Sequence, residues 1–313
     1  MKKVLFIDTA HPILWERLTD MGYHCDIFPD YSIEDYKQIV HDYEGFIVRS
    51  KIPLDKNILP LCKKLRFIGR VGAGMENIDV VLAKQQGIIC LNVPEGNRDA
   101  VGEHALGMLL SLINRLNIVD NEVRNGIWLR AENRGIEIKG KTVGIIGYGN
   151  VGSVFARKLS GLDCEILAYD KYKSGFSNDY VKEATMEEIY DQADIISFHV
   201  PLTEETRFMV DATYLSHFKK NIYLVNTSRG PVVRTSDLVD ALDNKKVLGA
   251  CLDVLEFEKF SFEDISKDTL PPYFKRLIEM NNVIFSPHIA GWTHESHFKM
   301  ANILADKIQA LNL

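Results

Sequence analysis

A chain of 313 residues with 46% hydrophobic and 26% charged residues is long enough for two domains, each burying a core of its own. Its 37 basic residues against 43 acidic ones give a net charge of −6, which excludes the basic surface that nucleic acid or an anionic membrane needs, so an anionic ligand has to be held by a local cluster. Cys25, Cys62, Cys90, Cys164 and Cys251 are scattered, odd in number and without metal-ligand spacing, as expected of reduced thiols in a cytoplasmic protein.

The apolar run after Lys2 and Lys3 stops at Asp8, too soon for a signal peptide. Strands are expected at 4–8, 25–28, 45–50, 66–72 and 88–93, with helices at 12–21, 32–43, 55–63 and 79–86 between them. This alternation predicts a parallel sheet with helices on both faces. A long helix is predicted over 99–125, where Val101, Ala105, Met108, Leu109, Leu112 and Leu116 recur at helical spacing before Gly126. Polar residues at His104, Asn114, Arg115 and Asn117 make it a buried helix and not a membrane span. Its broad stripe predicts core on one side and a symmetric dimer contact on the other. The alternation restarts with strands at 142–147, 164–169, 194–198, 222–226, 248–252 and 282–285, helices at 151–160, 186–191, 211–217 and 235–244, and a last helix at 293–311. The longest stretch without periodicity is 254–275. The fold class is α/β, with two doubly wound parallel sheets.

The second unit opens on "TVGIIGYGNVG", a buried-strand run, a turn and a helix start. Gly147, Gly149 and Gly152 fit G-x-G-x-x-G: the first makes the turn, the second admits a pyrophosphate, and the third lets helix and strand pack closely. Eighteen residues past Gly152, Asp170 ends a second strand, where a carboxylate accepts from adenosine ribose hydroxyls and repels a 2′-phosphate. NAD is therefore the expected cofactor, with Lys171 and Lys173 as opposing features.

Arg229 in "NTSRGPVV" and His288 in "SPHIAG" each follow a predicted strand, the end at which parallel sheets bind ligands. Moving a hydride between nicotinamide and a 2-hydroxy acid requires a cation for the substrate carboxylate and an acid/base for the hydroxyl proton. The bidentate fork of Arg suits the first and the titration range of His the second.

"GYGNVG", "HVPLTEET", "NTSRGPVV", "LDVLEFE" and "SPHIAG", with "GRVGAGMENID" in the first unit, occur in the order and spacing of the D-isomer-specific 2-hydroxyacid dehydrogenases, which the chain resembles over nearly its whole length. The resemblance implies an NAD-dependent oxidoreductase acting on a small D-2-hydroxy or 2-keto acid. It implies Arg229 as the carboxylate-binding residue, His288 as the proton donor and Glu258 as the partner of that His. Glu256 stands two residues earlier, so the choice between the two acids rests on spacing from Asp253, and Lys259 stands where the family has Pro. Asp253, Thr227, Ser228, Gly291, Asn150, Val151, Val200 and Pro201 are implied cofactor contacts in the second unit, and Ala73, between Gly72 and Gly74, a contact from the first. The family organisation implies a Rossmann NAD-binding domain, 98–287, inserted into a flavodoxin-like substrate domain, 1–97 with 288–313, and a homodimer.

His104 is expected in the core or an interface, and His199 to shape the loop over the cofactor. His294 and His297, with His288, lack the ligand set of a zinc site, so no metal is expected. Arg49, Ser50 and Lys51 follow a strand of the first unit and make a seat for a phosphate, so a phosphorylated D-2-hydroxy acid, as for phosphoglycerate dehydrogenases, is the expected substrate. The alternatives are hydroxypyruvate or glyoxylate reduction, or a non-catalytic NAD(H)-sensing protein of the same fold.

Overall fold

The computed structural model describes residues 2–258 and 271–313, which divide into two compact units. Among the described residues the first is built from 2–97 and 292–313, the second from 98–258 and 271–291. The chain leaves the second unit between Gly291 and Trp292, four residues later than the expected boundary at 288.

Unit 1 contains β1 (Lys2–Phe6), α1 (Pro12–Asp20), β2 (Tyr23–Ile27), α2 (Ile33–Ile39), β3 (Gly45–Val48), β4 (Phe67–Arg70), α3 (Val80–Gln85) and β5 (Ile89–Leu91). The strands form one parallel sheet in the order β2-β1-β3-β4-β5, the flavodoxin-like order. Both faces are apolar because both are covered. Leu5, Ile7, Phe46 and Ile68 pack with Tyr36 and Val40 on one side, while Val4, Phe6, Ile47 and Phe67 pack with Leu14 and Leu18 on the other. The second face is completed by Met300, Ala301, Leu304, Ala305 and Ile308 of the last helix of the chain.

Helix α4 (Pro94–Ile113) begins in unit 1 and continues from Arg98 in unit 2, which then holds α5 (Leu116–Arg124), β6 (Thr142–Ile146), α6 (Asn150–Leu159), β7 (Glu165–Tyr169), β8 (Lys182–Glu183), α7 (Met186–Gln192), β9 (Ile195–Phe198), α8 (Ala212–Ser216), β10 (Ile222–Asn226), α9 (Thr235–Asp243), β11 (Val247–Leu252), α10 (Pro272–Ile278) and β12 (Val283–Phe285). Helix α11 (His294–Gln309) returns to unit 1. The seven strands are parallel in the order β12-β11-β10-β9-β6-β7-β8, so the order reverses between β9 and β6. Ligands of such sheets lie outside the carboxyl ends at that switch point.

Two sequence expectations are corrected. The helix at 55–63 is a set of turns with a short 3-10 segment, Leu59–Leu61, because Pro60 has no N–H to continue a ladder. The helix over 99–125 is two helices: it starts earlier, on Pro94, and breaks at Arg115, whose φ of 56° is left-handed. The freed Ile113 carbonyl accepts from Ile136 N–H at 3.0 Å, and the Arg115 side chain donates to Asn133 Oδ1 at 3.0 Å. The apolar stripe on α4 is consumed within unit 2, where Ala105, Met108, Leu109 and Leu112 pack with Val143, Ile145 and Phe155. Among the described residues no helix is long and apolar enough to cross a membrane.

Candidate active site

The glycine turn joins the buried strand β6 to α6. Gly147 sits at φ 93°, in the left-handed region that its missing Cβ permits. A Cβ on Gly152 would lie 2.0 Å from the Gly147 carbonyl oxygen, so only glycine lets the helix start this close to the strand. Gly149 faces open space, and no side chain caps α6 at its N-terminus, where Asn150 and Val151 stand. Uncapped N–H groups beside an open glycine form a cradle that a pyrophosphate fits.

Asp170 follows β7 directly and organises this turn. One carboxylate oxygen accepts from Tyr148 N–H at 2.8 Å, and the other from Tyr172 N–H and Lys173 N–H at 2.9 and 3.1 Å. Val200 and Pro201 begin the loop after β9, and a Cβ on Gly147 would come within 3.2 Å of Val200 Cγ1. The Pro201 carbonyl accepts from Thr206 Oγ1 at 2.6 Å, which closes that loop on itself.

At the end of β10, Asn226 is almost fully buried and shapes the segment carrying Thr227, Ser228 and Arg229. Its Oδ1 accepts from Ser228 N–H and Oγ at 3.0 and 2.7 Å, and its Nδ2 donates to the Arg229 carbonyl at 3.0 Å. Among the described residues Thr227 Oγ1 is buried without a hydrogen-bond partner, and a buried hydroxyl of this kind fits a ligand contact. Arg229 Nη1 donates to the Ser228 carbonyl at 2.7 Å.

Asp253 is reached from the neighbouring strand, its N–H donating to the Asn226 carbonyl at 3.1 Å. Its side chain is 1% exposed, and an unpaired carboxylate so buried would be costly. The charge is met by Ser286 Oγ at 2.6 Å and by the N–H groups of Ile289 and Ala290 at 2.9 and 3.0 Å, while the Asp253 carbonyl accepts from His288 N–H at 2.8 Å. Asp253 therefore clamps the segment from Ser286 to Ala290, next to Gly291. Within that clamp His288 adopts a φ of 55°. Its Nδ1 meets Glu258 Oε2 at 2.6 Å, and the second oxygen of Glu258 accepts from Leu255 N–H. Glu256 is directed elsewhere, accepting from Thr235 N–H at 2.9 Å at the start of α9. Lys259, the departure from the family pattern, lies outside the described residues.

Sequence reasoning missed the residues that hold these groups in place. Ser286 bridges Asp253 to His104, whose Nε2 is 2.8 Å from Ser286 Oγ, so His104 is a member of this network as well as a helix residue. Ser286 and Asn226 flank recognised motifs, but a Ser and an Asn near a strand end carry no signal until their partners are known.

The remaining expected residues belong to unit 1. Arg49, Ser50 and Lys51 follow β3, and Gly72, Ala73 and Gly74 follow β4. Asp8 Oδ2 accepts from Arg49 N–H at 2.5 Å and Lys51 N–H at 3.3 Å, so an internal carboxylate fixes the backbone of this loop. The Arg49 guanidinium lies over the Trp292 ring, 4.1 Å from its centroid, and burial pushes its pKa down against the pull of Asp8. Lys51 Nζ is 5.7 Å from the centre of the Tyr36 ring. The Gly72 carbonyl accepts from Val93 N–H at 2.9 Å and the Ala73 carbonyl from Asn92 Nδ2 at 2.6 Å, which fixes the second loop.

A parallel sheet with a glycine turn at its switch point, an acid closing the next strand, and a clamped imidazole–carboxylate pair beyond the ends of β11 and β12 are the marks of a dinucleotide-binding α/β fold. The family model for the D-isomer specific 2-hydroxyacid dehydrogenase NAD binding domain matches residues 106–290, and the chain belongs to this family. It is 33% identical over 304 residues to a D-3-phosphoglycerate dehydrogenase of Archaeoglobus fulgidus, covering 96% of this chain and 56% of the relative. It is 32% identical over 287 residues to a glyoxylate reductase of Thermofilum pendens, covering 90% and 81%. The D-lactate dehydrogenase of Aquifex aeolicus, solved with NAD and lactic acid, superposes with a TM-score of 0.83 at 25% identity over 99% of this chain and 95% of that one. The chain spans about half the length of the phosphoglycerate dehydrogenases it matches.

Proposed function

We propose that the protein interconverts a small D-2-hydroxy acid and its 2-keto acid with NAD(H), and that the pair formed by His288 Nδ1 and Glu258 at 2.6 Å carries this reading. Held at the glycine turn and beside Asp170, NAD(H) would supply or take the hydride. Arg229 orients the substrate carboxylate through its planar fork. With Nδ1 held on Glu258, His288 exchanges its proton through Nε2, giving it to the carbonyl oxygen during reduction and taking it from the hydroxyl during oxidation. Glu258 fixes the ring orientation and stabilises the imidazolium that oxidation produces. Asp253 and Ser286 prevent the His288 loop from moving. The glycine turn, Asp170, Val200, Pro201, Thr227, Ser228 and Gly291 form the cofactor side of unit 2.

The substrate favoured by the loop after β3 is an unphosphorylated acid of the size of glyoxylate or hydroxypyruvate, because Asp8 fills its backbone donors and Trp292 stacks on Arg49. The phosphorylated substrate is the second reading, supported by the half-buried guanidinium of Arg49 and by the similarity to phosphoglycerate dehydrogenases. A homodimer is supported by the exposed Leu116, Val123, Ile127, Trp128, Leu129 and Ile136 on α5 and the segment after it, an apolar surface beyond the usual scatter. Reduced cysteines and the acidic balance support a cytoplasmic location.

The test is NADH oxidation with glyoxylate, hydroxypyruvate and 3-phosphohydroxypyruvate, in the wild type and in His288→Asn. The expected outcome is a higher kcat/KM for the unphosphorylated acids, and a fall in kcat of about 10²–10⁴-fold in the variant with NADH binding retained. NADH binding without turnover on any 2-keto acid would favour the sensing alternative.

A further inference from the structure

Lys171 and Lys173 flank Tyr172 directly after Asp170, where cations would attract the 2′-phosphate of NADP. The protein disposes of both internally. Lys173 Nζ donates to the Tyr148 carbonyl at 3.2 Å, on the glycine turn. Lys171 Nζ pairs with one carboxylate oxygen of Glu205, and the hydroxyl of Tyr172 donates to the other at 3.3 Å. Glu205 belongs to the loop after β9, while Lys171 and Tyr172 belong to the loop after β7. These two strands flank β6, the strand that ends in the glycine turn. One carboxylate thus joins the two loops that leave the sheet on either side of the cradle.

We propose that Glu205 sets the choice between NADH and NADPH by holding Lys171 in an ion pair, so that the cation beside Asp170 is not offered to a ribose 2′-phosphate. The inference rests on the reading of unit 2 as the dinucleotide site and extends it to a residue outside the glycine turn and its acid. Asp170 alone is an incomplete selector, since its oxygens accept from three backbone N–H groups and its charge is partly offset there. Glu205 adds a second carboxylate and removes a cation in the same contact. The pairing lifts the Lys171 pKa and depresses that of Glu205, so both groups are ionised at neutral pH. Lys171 and Glu205 are both about half exposed, so the pair is screened and the expected selectivity change is several-fold and not orders of magnitude.

The experiment measures dissociation constants of NADH and NADPH for the full chain from the change in cofactor fluorescence on binding. The ratio of the NADPH to the NADH constant is expected to fall by roughly three- to ten-fold in Glu205→Gln, and this gain for NADPH to shrink as salt is raised. Combining Glu205→Gln with Lys171→Ala is expected to abolish the gain. A ratio unchanged by Glu205→Gln, or a gain that survives the loss of Lys171, would overturn the proposal while leaving the dinucleotide site intact. Absence of NADH binding to the wild type would overturn both the proposal and the site it rests on.

Discussion

His199 permits a stability test that is independent of catalysis. It follows β9 at the switch point, with Nε2 2.9 Å from Ser197 Oγ and the ring 5.3 Å from that of Phe155. Although part of the residue reaches the surface, Nδ1 is sealed from solvent and has no acceptor among the described residues, so a second proton on the ring would be neither hydrated nor hydrogen-bonded. Burial accordingly pushes its pKa from 6.5 down to about 3. The unfolded chain then binds the proton more readily than the native one. The contribution of neutral His199 is complete above pH 6.5 and is lost as pH falls from there towards about 3. Lowering the pH from about 7.5 to about 5.5 should remove about 1 kcal/mol through this group alone. His199→Asn keeps a polar partner for Ser197 and does not titrate. Urea unfolding followed by circular dichroism at both pH values, in wild type and variant, isolates the difference from every other titrating group. The variant should lose about 1 kcal/mol less than the wild type over this interval; equal losses would refute the argument that the ring is held neutral by desolvation.

Glu258→Gln should lower kcat with NADH binding retained, because the ring loses the carboxylate that orients it at 2.6 Å. Glu256→Gln should leave kcat in place and reduce stability by about 1 kcal/mol, since its carboxylate serves the first turn of α9; the kcat values and denaturation of the two variants check the assignment. Trp128→Ser combined with Leu129→Glu should convert a dimer to a monomer by light scattering at micromolar concentration, and a wild type that is already monomeric at that concentration would remove the pairing surface.

The sequence by itself determined the alternation of the elements, the turn made by Gly147, Gly149 and Gly152, and the strand ends that carry Asp170, Arg229, Asp253 and His288. These are local properties: a periodicity, a backbone conformation open to glycine, and a residue placed just past an apolar run. The sequence could not decide between Glu256 and Glu258, because two acids two residues apart in a loop have no period to separate them. Tertiary structure turned one onto His288 and the other onto α9. It also interrupted an apparently continuous helix at Arg115, where a hydrogen bond from Ile136 replaced one within the ladder. Spacing alone left Lys171 and Lys173 as cations beside the ribose acid. Only the fold brought Glu205, 34 positions further along the chain, against Lys171, because pairing between strands decides which loops become neighbours.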